Sequence, residues 1–287
     1  MKIAGAVILY YPDENITRHI LSYIHVLDKL YVADNSENKN NALFEQIIKI
    51  KNVVYLHDGE NKGIASRLNQ AAKLAIEEGC EWLLTMDQDS YFEKNTVDAY
   101  LNCFSQSDGI DQVAMFGINF LDQKNKNEAC SPAQVTELIT SGSLVNLKVL
   151  ITTGGFDEAL FIDLVDHEYC YKAILYGYKI IQFKNIFLHH ELGINIGGRS
   201  VATLKITKRT LHSPLRLYYM VRNFLYVRSK YYPDFKPVID NQRKTIIVRI
   251  KNNLLYGKNK VSTINYIIKA LIDYRNKEMG KIKLKQI

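Results

Sequence analysis

The stretch Glu81–Ser90, EWLLTMDQDS, restricts the fold of this chain more than any other stretch. The apolar run WLLTM is typical of a buried strand in an α/β sheet, and it ends in two acids, Asp87 and Asp89. Ligands bind at the carboxyl ends of strands in open α/β sheets, so we expect both carboxylates to be reached by solvent and ligand. Mg²⁺ takes one or two protein carboxylates and completes its shell with water and phosphate oxygens, and it would balance their charge. Because an isolated Asp-X-Asp is also a common turn, the rest of the chain has to decide between the two interpretations.

Strand and helix patterns alternate before this stretch. Strands are predicted over 3–10, 30–33, 53–56 and 82–86, with helices over 14–27, 42–50 and 64–78 between them. This order predicts an α/β fold with a mostly parallel, Rossmann-like sheet flanked by helices, and right-handed crossovers bring the strand ends to one edge. Further strands are predicted over 113–120, 135–140 and 178–183, with a polar loop over 122–132.

Polar residues follow the other predicted strands at that edge. Asp34 and Asn35 follow the second strand, and Arg67 lies on the third helix. An acid in this place can accept a hydrogen bond from the imide N–H of uracil or thymine, and an arginine can bind a diphosphate. Helix capping and turn chemistry explain Asn35 equally well when it is taken alone. Together with Asp87 and Asp89, the cluster favours the functional interpretation.

A second acidic segment, FIDLVDHEYCY, leads into a predicted helix. Asp163 and Asp166 are three residues apart, so they would share a helix face, and one of them could act as a general base. The alternative is that acids in a first helical turn complement the helix dipole. His189 and His190 follow an apolar strand, where an imidazole is either packed or a metal ligand.

The composition predicts a globular protein, because 287 residues with 47% hydrophobic content suffice for one large or two small domains. The four cysteines show no paired spacing, so we expect reduced thiols, no structural zinc and a cytoplasmic location. The apolar stretch Ala4–Tyr11 is interpreted as a first strand and not as a signal peptide. No run approaches the ~18 apolar residues that a spanning helix requires, so membrane contact would be peripheral.

Charge divides the chain in two. Residues 1–198 carry 16 Lys and Arg against 26 Asp and Glu, whereas residues 199–287 carry 21 against 4. This division predicts a first domain over 1–198 and a basic region over 199–287, with helices over 214–232, 245–256 and 261–274. Basic amphipathic helices lie on anionic lipid surfaces, but these helices could equally pack on the first domain or on a second subunit. Nucleic-acid binding is disfavoured, because no recognition motif is present and the acidic edge would repel phosphate.

Seven segments resemble, in order, the motifs of family 2 glycosyltransferases of the GT-A fold, and within them the rhamnosyltransferase-like members. The segments are AVILYYP, VADNS, NKGIASRLNQA, MDQDS, SGSLVNLKVLITTGGFDEALFIDLVDHEYCYKA, HELG and RLYYMVRN, and the resemblance runs from Ile3 to about Asn223. The chain departs from the pattern at Leu9 and Tyr11, and Val165 stands where the family usually has Glu. Leu68 separates Arg67 from the asparagine that the arginine usually precedes.

The resemblance implies an inverting glycosyltransferase that uses Mg²⁺ or Mn²⁺, with a nucleotide-sugar half over about 1–90 and an acceptor half over about 91–198. It implies Asp166 as the catalytic base and Asp89, Asp87 and His190 as metal ligands, with His189 as the fallback for His190. Donor contacts are expected from Tyr10, Asp34, Asn35, Arg67 and Asp87, and acceptor-side contacts from Gly155, Phe156, Asp157, Glu158 and Asp163.

The expected reaction transfers L-rhamnose from dTDP-L-rhamnose to a lipid-linked saccharide in bacterial surface polysaccharide or O-antigen synthesis. A UDP-hexose donor is the first alternative. A nucleotidyltransferase is a weaker one, because its glycine-rich basic loop would stand where the chain has Tyr10-Tyr11-Pro12. The expected partners are a nucleotide-diphosphate sugar, a saccharide acceptor, an anionic membrane surface or a second subunit, and no nucleic acid.

Overall fold

A computed structural model describes residues 1–120, 130–190, 195–199 and 206–283, without the side chains of residues 190, 195–199 and 206–210. The chain divides into two units. The first unit comprises Met1–Phe161 and Val165–Glu191, and the second comprises Ile162–Leu164 and Leu192–Ile287. Most of the polar loop predicted over 122–132 lies outside the described residues, and the predicted domain boundary after residue 198 stays a prediction.

A single sheet organises the described part of the first unit. Eight strands form it in the order β3-β2-β1-β4-β8-β6-β9-β7. A separate two-stranded ladder joins β5 and β10. The strands are β1 (Ile3–Leu9), β2 (Lys29–Asp34), β3 (Val53–His57), β4 (Trp82–Asp87), β5 (Ser90–Tyr91), β6 (Val113–Asn119), β7 (Pro132–Gln134), β8 (Ser143–Asn146), β9 (Lys179–Phe187) and β10 (His189–His190).

The four strands β1 to β4 pair in parallel, as the sequence predicts. The apolar runs of β1, β2 and β4 are buried because helices cover both faces of a parallel sheet, whereas β3, at the edge of the sheet, is partly buried. The register sets Leu9 opposite Asp34 and Ile8 opposite Asp87. The polar residues that follow β1, β2 and β4 therefore meet at one edge.

The other half of the sheet is mixed, which the sequence did not indicate. β8 pairs antiparallel with both β4 and β6, while β6 pairs in parallel with β9. The strand predicted over 135–140 is wrong: β7 ends at Gln134, and the next strand begins at Ser143. The α/β fold class itself is confirmed.

Six α-helices of the first unit are described: α1 (Ile16–Leu21), α2 (Asn41–Ile47), α3 (Gly63–Glu77), α4 (Thr96–Ser105), α5 (Leu147–Thr152) and α6 (Val165–Leu175). The helix predicted over 14–27 is shorter, because α1 ends at Leu21 and a 3₁₀ turn over Ile24–Val26 follows. On α3 the small residues Ala71, Ala72 and Ala75 are buried, which lets this helix lie close against the sheet.

The expectation of four reduced thiols is wrong, because Cys103 and Cys130 form a disulfide with their Cα atoms 5.4 Å apart. Cys103 lies on the buried face of α4, and Cys130 packs partly buried against the same core. Cys80 and Cys170 are buried thiols. The predicted reducing compartment rested on unpaired cysteines and loses that support.

The second unit contains a hairpin of β11 (Asn195–Arg199) and β12 (Ile206–Thr210) and two helices, α7 (Pro214–Tyr256) and α8 (Lys260–Arg275). The helices predicted over 214–232 and 245–256 belong to one long helix with a kink at Phe235, between Pro233 and Pro237. Within the described residues, no helix combines the length and the apolar character needed to cross a bilayer.

Candidate active site

The Asp-X-Asp turn after β4 is held from its middle residue, Gln88. The backbone N–H of Tyr10 donates to Gln88 Oε1 (2.8 Å), and Gln88 Nε2 donates to the Tyr10 carbonyl (3.3 Å). On the other side, His19 Nδ1 lies 2.8 Å from the Gln88 carbonyl oxygen. Gln88 therefore fixes the turn to the end of β1, and Asp87 and Asp89 lie on either side of Gln88 in the chain.

A chain of hydroxyls reaches both acids. The Asp87 N–H donates to Ser141 Oγ (3.2 Å), Ser141 Oγ donates to Ser90 Oγ (2.8 Å), and Ser90 Oγ makes a longer contact with Asp89 Oδ1 (3.5 Å). Both serines are fully buried. The buried serines thus hold the backbone of Asp87 and contact the carboxylate of Asp89, and both carboxylates are partly exposed.

Of the two histidines of β10, the structure describes the side chain of His189 but only the backbone of His190. His189 Nε2 lies 2.7 Å from Glu93 Oε1, and its ring stacks on Tyr91, which in turn stacks on His19. These contacts occupy His189 and disfavour it as the metal ligand. The backbone of His190 pairs with Ser90, beside Asp89 in the chain, while its side chain lies outside the described residues.

The donor set at this turn is compatible with a hard divalent cation. Mg²⁺ and Mn²⁺ prefer carboxylate oxygens, and Mg²⁺ needs only one or two of them when it also binds phosphate. Asp87 and Asp89 supply two carboxylates at a strand end, two residues apart. Among the side chains that the structure describes, no cluster of three or more His, Cys, Asp or Glu could hold a metal on its own.

Asp34 and Asn35 are both buried at the end of β2. Asp34 accepts hydrogen bonds from the Tyr55 hydroxyl (2.6 Å) and the Ser36 N–H (2.8 Å). Burial and the Asp34 carboxylate raise the pKa of Tyr55, so this phenol stays a proton donor. Asn35 Nδ2 donates to the Gly63 carbonyl (3.2 Å), which connects the end of β2 to the start of α3.

Arg67 is buried, and each of its five N–H donors has a protein acceptor. It forms a two-pronged ion pair with Asp58 and also donates to Asn35 Oδ1 (2.8 Å). The remaining donors reach Gln70 Oε1 and the Glu60 carbonyl. Since no N–H is left for a diphosphate, this arrangement favours a positioning role for Arg67 over the direct donor contact predicted from the sequence.

The Asp58–Arg67 pair predicts a defined pH dependence of stability. The guanidinium of Arg67 holds the pKa of Asp58 below its ordinary value of 3.8. A carboxylate with a lowered folded-state pKa stabilises the fold above its unfolded-state pKa, and this contribution disappears as the pH falls through the folded-state value. At neutral pH we expect Asp58→Asn to cost about 1–2 kcal/mol, a moderate amount because the carboxylate is 36% exposed. Denaturant unfolding from pH 7 to pH 2 should show the difference in unfolding free energy between the wild type and Asp58→Asn shrinking below pH 3.8. A difference that stays constant with pH would contradict the role of the Asp58–Arg67 pair.

The start of α3 is joined to residue 161. The Ile64 N–H donates to the Phe161 carbonyl (2.7 Å), which satisfies one of the open donors at the helix N-terminus. Gly63 has φ +83°, and a Cβ there would lie 2.5 Å from both the carbonyl oxygen and Cδ2 of Phe161. Glycine is therefore required here for two reasons, the left-handed backbone and the close approach.

This contact predicts a large loss of stability in Gly63→Ala. The left-handed backbone costs about 1–2 kcal/mol, and the steric clash adds about 1–3 kcal/mol, so we expect a total of roughly 3 kcal/mol. Gly79→Ala is the matched control, because Gly79 has φ +75° with no atom within 4 Å of the added Cβ. Denaturant unfolding of both variants measures the two losses of unfolding free energy. Equal losses would contradict the prediction, because the steric clash in Gly63→Ala would then have no effect on stability.

Asn69 on α3 joins the Gly-Gly-Phe-Asp-Glu loop to this helix. Its amide exchanges two hydrogen bonds of 2.9 Å with the backbone of Phe156 and donates a third to Glu158 Oε1. Gly155, with φ +78°, leaves room for the Asn69 side chain, and Lys172 Nζ donates to its carbonyl (2.6 Å). Asp157 Oδ1 accepts from the Ala159 N–H. The structure thus gives four predicted acceptor-side residues a role in the loop, and acceptor contact by them stays a prediction.

Asp166 lies in the first turn of α6 and is partly exposed. Its Oδ1 accepts a hydrogen bond from the His167 N–H (2.9 Å). In the preceding segment, Phe161, Asp163 and Leu164 all have positive φ, between 62° and 66°. Such backbone costs free energy in residues other than glycine and is often found near functional sites.

Within the second unit, α7 holds the segment Ile162–Leu164. Asn223 Nδ2 donates to the carbonyls of Ile162 (2.7 Å) and Asp163 (3.1 Å), and Arg216 pairs with the Asp163 carboxylate (3.1 Å). Asn223 is fully buried. These contacts give a physical reason for the RLYYMVRN segment, and they occupy Asp163 in addition to its predicted acceptor-side role.

Sequence reasoning did not assign roles to Gln88, Ser141, Asn69 or Asn223. Each of them bonds to backbone that is distant in the chain, for example 78 residues from Gln88 to Tyr10 and 87 from Asn69 to Phe156. All four lie inside segments that carried the family resemblance, and only this location in the sequence could have pointed to their roles.

Comparison with known proteins agrees with this geometry. Residues 15–132 match the family described as Glycosyl transferase family 2. The chain is 27% identical over 295 residues to the dTDP-rhamnosyl transferase RfbF of Shigella flexneri, and the alignment covers 95% of both chains. The resemblance to family 2 glycosyltransferases, and to rhamnosyltransferases within them, is thereby confirmed.

Two solved structures share the fold. The crystal structure of S. aureus TarS aligns with a TM-score of 0.59 at 17% identity, and that of GalNAc-T7 with UDP, GalNAc and Mn²⁺ with 0.61 at 11% identity. Each alignment covers 96% of this chain but only 49% and 57% of the two known chains, so the chain spans about half their length. At these identities the likeness shows the GT-A fold alone.

Proposed function

We propose that this family 2-like glycosyltransferase transfers L-rhamnose from dTDP-L-rhamnose to a saccharide hydroxyl, with inversion at the anomeric carbon. The observation that carries the donor assignment is the similarity over 95% of both chains to a protein named as a dTDP-rhamnosyl transferase. The meeting of Asp34, Asp87 and Asp89 at one edge of the sheet supports a nucleotide-diphosphate donor at that edge.

The residues at the strand ends divide the binding of such a donor. Each oxygen of Asp34 accepts one hydrogen bond in the structure and has a second lone pair for the imide N–H of thymine. The exposed ring of Tyr10 offers a stacking surface for the base. Asn35 and Arg67 hold the loop and the helix start beside the site.

Asp87 and Asp89, with His190 as a third candidate, are the residues that would hold Mg²⁺ or Mn²⁺. When bound, the ion would stabilise the negative charge that develops on the leaving diphosphate. The residues of the chain position the turn that carries the two acids: Gln88 and Ser141 bond to the backbone of Tyr10 and Asp87, and Ser90 Oγ contacts the Asp89 carboxylate. Their contribution is positional, because a misplaced ligand lowers the rate even when it is present.

Asp166 is proposed as the general base. It would accept the proton of the acceptor hydroxyl as the oxygen attacks the anomeric carbon and the bond to the diphosphate breaks. It lies in the first turn of α6 and is partly exposed, which leaves its carboxylate open to an acceptor hydroxyl. The acceptor is proposed to be a lipid-linked saccharide of a bacterial surface polysaccharide, met in the cytoplasm at the inner face of the membrane.

Turnover of the donor tests this function. Incubation with dTDP-L-rhamnose and Mg²⁺ or Mn²⁺ should release dTDP slowly with water as acceptor, and a chelator should stop the release. UDP-glucose and UDP-galactose should be turned over at least about tenfold more slowly, because a site built to hydrogen-bond one sugar nucleotide leaves some of its polar groups unpaired when it binds another. Faster release of UDP than of dTDP would support a glycosyltransferase that uses a UDP-hexose donor instead of dTDP-L-rhamnose. Release of neither nucleotide would contradict the proposal.

The stacking role of Tyr10 gives a separate prediction. Tyr10→Ala should weaken dTDP binding by about tenfold, since base–aromatic stacking is worth about 1–3 kcal/mol. Tyr176→Ala is the matched control, because that ring is similarly exposed (58% against 48%) and follows α6. Titration calorimetry with dTDP measures both variants, and equal affinities would remove Tyr10 from the donor site.

A further inference from the structure

The last helix, α8, presents its apolar residues to solvent and its polar residues to the interior. Its buried side chains are Thr263, Ala270 and Asp273. Asp273 accepts a hydrogen bond from the Tyr218 hydroxyl (2.6 Å) and pairs with Lys269 (2.9 Å). This buried network fixes which face of α8 is turned inward. On the outer face, the exposed fractions range from 47% to 73% for Val261, Ile264, Ile268, Leu271 and Ile272.

The end of α7 also carries exposed apolar residues. Ile246, which the sequence grouped with Ile247, Ile250 and Leu254 on one helix face, is buried, whereas Ile247 is 56% exposed. Val248 and Leu255 are about half exposed as well. We call the outer residues of the two helices the C-terminal apolar face: Ile247, Val248, Leu255, Val261, Ile264, Ile268, Leu271 and Ile272. Single exposed apolar residues are ordinary, but a set of this size is typical of an interaction site.

The charged residues around this face are mostly basic. Residues 240–278 contain nine Lys and Arg and three acids, of which Asp273 is buried and Asp240 lies 4.0 Å from Arg243. The exposed cations include Lys244, Lys251, Lys258 and Lys260. An apolar surface ringed by cations is complementary to an anionic lipid surface, where the apolar side chains enter the interface and the cations meet the headgroups.

We propose that the C-terminal apolar face binds peripherally to an anionic lipid bilayer. A second copy of the chain is a poorer occupant, because two identical faces with nine cations and three acids each would bring more like charges together than opposite ones. The inward polar network explains why the helix keeps this orientation in water: rotating α8 to bury its isoleucines would expose Ala270 and separate Asp273 from the Tyr218 hydroxyl on α7, while Lys269 would turn with its own helix.

Flotation of the full-length protein with vesicles tests the proposal. Vesicles of equal parts phosphatidylcholine and phosphatidylglycerol should bind the protein, vesicles of phosphatidylcholine alone should bind it far more weakly, and high salt should release it. The double variant Ile264→Asn/Ile268→Asn should lower the affinity by about tenfold or more, because burial of each isoleucine is lost. The triple variant Lys251→Gln/Lys258→Gln/Lys260→Gln should lower it by about a hundredfold.

The control is Ile151→Asn, a similar replacement of an isoleucine that is 61% exposed on α5. It should bind vesicles like the wild type, and all variants should melt like their parent because the replaced side chains lie on the surface. Equal binding to both vesicle types, or full binding by the double variant, would overturn the proposal. A dimer in light scattering that the double variant converts to monomers would also overturn it, by assigning the face to a second copy. No donor or acceptor is present, so the outcome is independent of the proposed reaction.

Discussion

Replacing Asp166 with asparagine should lower kcat by about 10²–10⁴-fold, the typical contribution of a general base, while dTDP and metal binding stay unchanged. The amide keeps the shape of the side chain, and its oxygen can still accept the hydrogen bond from the His167 N–H (2.9 Å). What is lost is a group that takes up a proton. The fold should therefore be retained, and the defect should lie in the chemical step.

Single-turnover kinetics with the donor, beside thermal melting with and without dTDP, separates these effects. Asp98→Asn is the matched control, because Asp98 is also an acid in the first turn of a helix, α4, and is exposed. It should keep wild-type activity. Near wild-type turnover by a well-folded Asp166→Asn protein would remove Asp166 as the base.

Asp89→Asn should abolish the effect of Mg²⁺ or Mn²⁺ on dTDP binding and lower kcat by roughly 10³-fold. A bound metal supplies several kcal/mol of charge stabilisation, and an amide oxygen is a much weaker ligand than a carboxylate. Asp87 supplies the second carboxylate at this turn, so Asp87→Asn should show the same loss in a weaker form.

The measurement is dTDP affinity at a series of metal concentrations. The wild type should bind dTDP more tightly as metal is added, and Asp89→Asn should bind it weakly at every concentration. Asp111→Asn, an exposed acid in a 3₁₀ turn away from the strand ends, is the control for loss of charge. A metal-dependent increase in the Asp89→Asn protein would contradict the assignment.

The first half of the sheet, β1 to β4, was predictable from sequence because its signals are local. The apolar runs of β1 to β4 are separated by helices of the right length, and this order leaves few topologies open. The acids Asp34, Asp87 and Asp89 fall at strand ends simply because each run stops there. Their meeting at one edge follows from the parallel order.

The second half was not predictable in the same way. The run SLVNLKVLIT contains both β8 and α5, and hydrophobic periodicity does not separate a short buried strand from the helix that follows it. The antiparallel insertion of β8 between β4 and β6 depends on pairing across the sheet. The Cys103–Cys130 disulfide likewise arises from folding, since 27 residues separate the two cysteines.

Side-chain roles were the least predictable part of the site. Arg67 has the identity expected of a phosphate-binding residue, yet its donors are taken up by Asp58, Asn35, Gln70 and Glu60. The outward face of α8 is a similar case. Its sequence shows an amphipathic helix, but the buried bond between Asp273 and Tyr218 decides that the apolar side faces solvent.

A thermal-shift panel tests whether the strand ends form a metal-dependent site for a dTDP sugar. The wild type and Asp89→Asn would be melted with dTDP, UDP, GDP and ADP, each with and without Mn²⁺ or Mg²⁺. A ligand that binds only the folded state raises the melting temperature, by an amount that grows with its affinity. We predict the largest shift for dTDP with metal in the wild type, and no metal-dependent shift in Asp89→Asn. A melting temperature unmoved by every nucleotide, or one raised equally in both proteins, would contradict a metal-dependent dTDP site at the strand ends.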